Sequence, residues 1–268
     1  MQFERKSTIM FAMLFSQTTF IGIDPSAGER PYNFAAVSQD LQLLALGSGS
    51  LPDILAFTAG QQSALAAICG PRQPNTGLMA DEEIRQQLSP RPNPGRYENF
   101  RVADYQLRLH NISIPQTPAL EEGCPNWMRN AFTLFSKMKG FGYRLFPGGE
   151  ALVQMLEVYP HACFSALLGV VPFQKYSLEG RIQRQLVLRE NGMDLPDAMN
   201  FFEEITRHRL LSGVLPLETI YTPGELDALV AAFTAWKAAT QLEQTTKVGH
   251  PDEGEVYIPV PELKQVYH

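Results

Sequence analysis

Three carboxylates occur in segments whose other residues favour burial. Asp24 ends an apolar run, Glu157 lies in a short apolar stretch, and Asp227 is surrounded by small residues on a late helix. A carboxylate in such a segment is costly unless a cation or hydrogen bonds receive it. Carboxylates without cysteine or abundant histidine suit Mg²⁺ or Mn²⁺, and two such ions about 4 Å apart activate water for phosphodiester hydrolysis. We therefore predict that the three acids meet in a divalent-metal site suited to phosphodiester hydrolysis.

Each acid also has a structural alternative. Asp24 could form an Asx-turn with the backbone around Ser26 and Gly28. Glu157 could face water on an edge strand, and Asp227 could complement the dipole of its helix. The residues alone leave these alternatives open.

Basic residues supply candidates for substrate contacts. His161 is a candidate proton shuttle, with a helix cap or a packed side chain as the alternative role. Lys175, Arg181 and Arg184 are candidates for neutralising phosphates.

A second row of charge consists of Arg101, Asp104 and Arg108, at helix-like spacing. Arg101 and Arg108 are candidate substrate-binding residues. The alternative is a solvated helix face with an internal ion pair, which stabilises little.

The elements that must position these residues begin with three successive strands at 18–24, 34–38 and 41–46, which predict an antiparallel meander. A helix over 51–62 and a strand over 64–69 follow. The predicted order is β-β-β-α-β.

Later segments are more varied. The sequence predicts a short helix over 150–155, a strand over 156–161, single helices over 197–211 and 223–240, and an exposed edge strand over 254–261.

Composition limits the class of protein. The chain has 268 residues, 44% of them hydrophobic, and a net charge of −6, so nucleic-acid contacts must come from local clusters. The three cysteines Cys69, Cys124 and Cys163 are widely spaced, which argues against disulfides or a cysteine zinc site and favours a reducing cytoplasm. No run reaches the roughly 20 apolar residues of a membrane span, so we expect no membrane association.

The expected organisation is a single domain over 18–268 with a helical insertion at about 72–150. Residues 1–17 contain a basic and then an apolar stretch, but the stretch is short and lacks a cleavage site, so we expect an N-terminal extension rather than a secretory leader.

Several short elements together resemble the domain of unknown function 429 family, in the same order. They are Gly22-Ile23-Asp24-Pro25-Ser26-Ala27-Gly28, Ala67-Ile68-Cys69-Gly70-Pro71, the Arg101 to Arg108 row, Glu157-Val158-Tyr159-Pro160-His161, Gly180-Arg181 and Leu226-Asp227-Ala228-Leu229. The similarity runs from about residue 18 to 236. That family is regarded as predicted nucleases with a ribonuclease H-like fold.

The resemblance implies an α/β fold with a mixed sheet, its first three strands antiparallel, flanked by helices. It also implies that Asp24, Glu157 and Asp227 correspond to the acids of the site. One departure is that Cys69 stands where the family has an aspartate, and a neutral thiol is a poor Mg²⁺ ligand. Asn75 in the next loop could supply a neutral oxygen instead. The two expectations are a metal-dependent nuclease and a degenerate ribonuclease H-like binding or scaffold protein.

Overall fold

The computed structural model of the protein describes residues 18–25 and 32–268. The predicted extension at 1–17, and the part of the predicted Asx-turn at Ser26 and Gly28, lie outside these residues. The strands are β1 (Thr19–Asp24), β2 (Tyr32–Val37), β3 (Leu43–Gly49), β4 (Ala64–Cys69), β5 (Arg144–Leu145), β6 (Val153–Val158), β7 (Thr246–His250) and β8 (Gly254–Ile258). The helices are α1 (Leu51–Ala59), α2 (Glu82–Gln87), α3 (Val102–Leu109), α4 (Asn126–Gly140), α5 (Pro160–Leu168), α6 (Leu178–Glu190), α7 (Asn200–Glu204), α8 (Arg207–Leu211) and α9 (Pro223–Thr240).

The strands form one mixed sheet in the order β3-β2-β1-β4-β6-β8-β7, with the short β5 also pairing with β6. β1, β2 and β3 are antiparallel neighbours, whereas β1, β4, β6 and β8 run parallel. The predicted β-β-β-α-β order and the mixed α/β sheet are confirmed, and the topology is consistent with a ribonuclease H-like fold.

Side-chain alternation along the strands divides the core between the two faces of the sheet. Phe20 of β1 packs in the same buried cluster as α9. Ile21 and Ile23 point to the opposite face, where α1 and α4 cover them. Asp24 is four residues after Phe20 in β1, so its side chain lies on the same face of the sheet, which α9 covers.

Four predictions about the later elements were wrong in type, bounds or position. Residues 153–158 form β6, so 150–155 is not a helix and the strand predicted at 156–161 ends earlier, before Pro160 begins α5. The predicted single helix 197–211 is two helices, because Ile205 is extended and the Thr206 side chain caps α8 by accepting from the Arg209 N–H.

The fourth error concerns the last strand. β8 pairs with both β6 and β7, so it lies inside the sheet and not at its edge. Pro259 and Pro261 follow the end of β8 at Ile258 and remove no hydrogen bond from it.

The segment 72–150, predicted to be a helical insertion, contains α2, α3 and α4. Leu134 and Phe135 of α4 pack in the same cluster as Ile21 and Ile68 of the sheet. α4 is therefore part of the central core. Among the described residues, no helix is long and apolar enough to cross a bilayer.

Candidate functional site

A close helix-to-strand contact brings two of the three predicted acids together. A Cβ atom at Gly22 of β1 would lie 1.9 Å from the Ala228 carbonyl oxygen and 2.4 Å from the Ala232 nitrogen. Only glycine allows α9 to lie this close to β1. The same contact places Asp227, one residue before Ala228, next to Asp24 at the end of β1.

Both aspartates have raised pKa values. Burial, followed by the negative charge of Asp227, raises the pKa of Asp24 to about 7, against the opposing effects of Lys175 and Asn33. Burial also raises the pKa of Asp227, although Lys175 and Arg184 act in the opposite direction. Asp24 and Asp227 are therefore two acids whose ionised forms are disfavoured mainly by burial, with the cations of Lys175 and Arg184 nearby.

Two neighbouring side chains, Lys175 and Asn33, interact with these carboxylates. The Lys175 ammonium forms an ion pair with the Asp227 carboxylate. Burial lowers the pKa of Lys175, but the charges of Asp227 and Asp24 outweigh it and the pKa is raised overall. Asn33 Nδ2 donates a long hydrogen bond of 3.5 Å to Asp24 Oδ2.

Cys69 lies beside the pair and lines the same cleft. Its Sγ donates to the Asp227 carbonyl oxygen at 3.5 Å. Burial, and then the charges of Asp24 and Asp227, raise the pKa of this thiol well above its usual value. Cys69 is therefore neutral and contributes no anionic ligand.

The two aspartates line a cleft with a volume of about 1110 Å³. This volume lies slightly above the usual range of about 300–1,000 Å³ for small-molecule pockets. Its other lining residues include Asn33, Ser48, Cys69, Ser113, Pro115, Trp127, Tyr159, Pro160, His161, Phe164, Lys175, Tyr176, Arg184, Thr222, Pro223 and Gly224.

Two of the predicted basic residues face this cleft besides Lys175. His161 lies at the start of α5, and burial followed by the charges of Arg184 and Lys175 lowers its pKa, so the ring is neutral at pH 7. Arg184 donates to the carbonyls of Phe173 and Gly180 at 3.0 and 2.8 Å. These bonds hold its charge at the cleft wall.

Glu157 is not brought together with the two aspartates. Ile68 is its partner in the register between β4 and β6, and Cys69 pairs with Val158. Side-chain alternation therefore points Glu157 to the face of the sheet opposite Cys69. The Glu157 carboxylate accepts two hydrogen bonds from Arg101, at 2.7 and 3.0 Å, and one from the Arg72 N–H at 3.2 Å.

Two members of the second charged row are buried and only Arg108 is exposed, so the interpretation as a solvated helix face is wrong for Arg101 and Asp104. Arg101 is 2% exposed and Asp104 is 1% exposed. Arg101 pairs with Glu157, and Asp104 accepts from the Thr117 N–H at 3.1 Å. Arg108 stacks its guanidinium over the Phe100 ring, 5.1 Å from the centroid, and like Arg101 it does not line the cleft.

Two further candidates have structural roles. Arg181 donates to the carbonyls of Tyr221 and Ile220 at 2.8 and 2.7 Å, which fixes the chain before α9. Asn75 uses its side-chain oxygen to accept from the Gly77 N–H at 2.7 Å, so that oxygen does not replace a missing ligand.

The sequence reasoning missed Asn33, Tyr159 and Tyr176 as cleft residues. Asn33 had a readable signal, because an antiparallel hairpin places it opposite Asp24 on β2. Tyr176 had another, since it adjoins Lys175 in the chain.

The described lining of the cleft contains two carboxylates, which are fewer oxygen ligands than the predicted pair of ions would need. Asp24 and Asp227 offer oxygen ligands, but Cys69 is neutral and Glu157 is paired on the other face. Within the described part of the chain, no group of three or more His, Cys, Asp or Glu side chains is arranged to hold a metal. The predicted three-acid site is therefore reduced to a two-acid site.

Fold and site together define an α/β protein with two aspartates in one cleft, one at the end of β1 and one in the first turns of α9. Residues 68–253 match the family described as Protein of unknown function (DUF429), which is more than half of the chain. The chain belongs to that family. The match includes Cys69 and Asp227 but begins after Asp24. Comparisons with curated proteins and with solved structures gave no significant match.

Proposed function

We propose that this protein is a metal-dependent phosphodiesterase that cleaves nucleic acid in the Asp24–Asp227 cleft. Asp24 and Asp227 would hold one Mg²⁺ or Mn²⁺ ion through their carboxylate oxygens. When bound, such an ion supplies Lewis acidity at a phosphoryl group. The observation that supports this proposal is that Asp24 and Asp227 line the same cleft, where burial and then the charge of Asp227 raise the pKa of Asp24.

Charge in the cleft supports a phosphate substrate. Among the described lining residues, ionised Asp24 and Asp227 contribute two negative charges, and Lys175 and Arg184 contribute two positive charges. A bound divalent ion would make the cleft net positive. A phosphodiester would then be attracted, although the protein as a whole has a net charge of −6.

The basic side chains have distinct roles in this proposal. Lys175 holds Asp227 in place and its charge lies where a substrate phosphate would enter. Neutral His161 can accept a proton from water or pass one toward a leaving oxygen. Arg184, held by two backbone carbonyls, would stabilise charge on the phosphate.

The test is cleavage of end-labelled DNA and RNA oligonucleotides with Mg²⁺, with Mn²⁺ and with chelator. Wild-type protein should cleave only with metal, and Asp24→Asn and Asp227→Asn should each lower the rate at least about 100-fold. Asp40→Asn is the matched control, because Asp40 is an exposed acid in the turn between β2 and β3. Cleavage that persists in chelator or in Asp24→Asn would refute the proposal.

A second candidate is a binding or scaffold protein that has lost catalysis. The neutral Cys69 thiol in place of an acid, and the Lys175 ammonium on Asp227, favour it. This candidate predicts nucleic-acid binding that does not change with Mn²⁺, whereas the phosphodiesterase predicts binding that Mn²⁺ strengthens.

We also place this activity in the cytoplasm. Cys69, Cys124 and Cys163 are all free and buried. A reducing compartment preserves thiols in this state.

A further inference from the structure

A loop beside the cleft presents aromatic rings to solvent on a fixed backbone. This rim loop, residues 169–177, connects α5 to α6. Its Phe173 N–H donates to Gln183 Oε1 at 2.8 Å, and its Phe173 carbonyl accepts from Arg184 at 3.0 Å. The Val171 N–H donates to the carbonyl of His268 at 3.0 Å.

Close packing fixes the same loop against α6. A Cβ atom at Gly180 would lie 1.9 Å from the Gln174 carbonyl oxygen, so the loop touches the first turn of the helix. The Ser177 N–H donates to that carbonyl at 3.2 Å. The backbone on both sides of Tyr176 is therefore held in place.

The Tyr176 side chain nevertheless points outward at the mouth of the cleft. It is 81% exposed and lines the cleft. Its ring centroid lies 5.7 Å from Lys175 Nζ, the same ammonium that pairs with Asp227. A ring held in this position is adjacent to the acid pair and has a face open to a planar ligand.

We infer that Tyr176 is a stacking platform for an unpaired base, and that the substrate of the cleft is single-stranded nucleic acid. The inference rests on the proposed function, because the phosphate next to the stacked base would lie at Asp24 and Asp227. Aromatic rings stack on any base, which gives affinity without sequence preference. A base inside a duplex already has both faces covered, so the ring favours unpaired nucleotides.

Binding can be measured without metal or cleavage. In chelator, Asp24→Asn removes one negative charge, which leaves the charged residues of the described cleft lining at a net of +1. In this background, labelled single-stranded DNA and RNA are titrated by fluorescence anisotropy. Each is compared with a matched strand with abasic sites, which keeps the phosphates and lacks the bases, and with a duplex.

Tyr176→Ala should weaken binding of the strand with bases by about tenfold, within a range of about 5- to 150-fold. Binding of the abasic strand should change less than twofold, and Tyr176→Phe should retain affinity for both. Phe141→Ala is the control, because Phe141 is 51% exposed and does not line the cleft. The DNA and RNA arms show which sugar is accepted.

The inference is overturned if Tyr176→Ala weakens both strands equally, changes neither, or affects the duplex as much as the single strand. It is also overturned if the Asp24→Asn protein binds no strand at all. Tyr176-dependent binding without cleavage by wild-type protein would refute the proposed hydrolysis and leave the stacking platform standing. Cleavage by the wild-type protein together with binding that does not depend on Tyr176 would support the proposed hydrolysis and refute the stacking platform.

Discussion

Replacing Asp24 with asparagine should stabilise the metal-free protein at pH 8. The pKa of Asp24 rises from 3.8 to about 7 on folding, mainly through burial and then through the charge of Asp227. Since a tenfold change in the ionisation constant is about 1.4 kcal/mol, this rise corresponds to about 4 kcal/mol for the ionised form. Asp24 is largely but not fully buried, so screening by solvent lowers this figure and we expect a gain on the order of 2 to 4 kcal/mol.

The pH dependence has a definite sign. A carboxyl whose pKa is raised by folding holds its proton more tightly in the folded state, so wild-type stability falls as pH rises from about 4 to about 7. Asparagine has no charge to bury. The advantage of Asp24→Asn should therefore be absent near pH 4, grow through this window and level off above pH 7.

Urea unfolding in chelator at a series of pH values measures this difference. Asp40→Asn, which changes an exposed acid, should alter the free energy of unfolding by less than about 0.5 kcal/mol at every pH. If Asp24→Asn is no more stable than wild type at pH 8, or if its advantage is the same at pH 4, the two carboxylates do not share a buried site.

Three further substitutions test other parts of the structure. Gly22→Ala should lower the free energy of unfolding, measured in urea, by about 3 kcal/mol or more because its Cβ would overlap the α9 backbone. Gly47→Ala is the control, and it should lower the free energy of unfolding by less than about 1 kcal/mol because the nearest atom to its Cβ would be 3.4 Å away. Glu157→Gln should cost about 3–5 kcal/mol by leaving Arg101 buried without its anionic partner. Calorimetry of the same variant should show Mn²⁺ affinity within twofold of wild type, and a larger loss would place Glu157 in the metal site. Cys69→Asp should tighten Mn²⁺ binding by about tenfold or more through a third carboxylate, and unchanged affinity would mean that this side chain does not reach the ion.

Local signals were sufficient for the elements that hold the two aspartates. Pro223 in the first turn, an apolar stripe and small residues predicted α9, and its observed bounds, Pro223–Thr240, are those predicted. The capping box between Thr222 and Glu225 explains why the helix begins there. The run ending at Asp24 was equally readable, because a buried strand followed by a turn is encoded within a few residues.

The error at Glu157 arose from a relation between distant segments. Which face it occupies depends on the pairing of β6 with β4, and the two strands are separated by more than eighty residues. A shift of one residue in that register would have pointed Glu157 toward Cys69. The burial of Arg101 is non-local for the same reason, since its partner is 56 positions away.

The sequence did not predict the contact between Lys175 and Asp227. Lys175 was predicted to meet substrate phosphate, and the structure adds that its ammonium is paired with one of the two acids. That contact joins the rim loop to α9 across 52 positions of the chain.

The most direct test of the central claim is calorimetric titration of the wild-type protein with Mn²⁺, beside Asp24→Asn and Asp227→Asn. The two-acid site predicts one ion per chain for wild type and a loss of at least about tenfold in affinity for each variant. At an Mn²⁺ concentration of 100 times the Kd, wild type should also gain about 2.7 kcal/mol in free energy of unfolding. No binding by wild type, or equal binding by all three proteins, would contradict the claim that these two aspartates form a metal site.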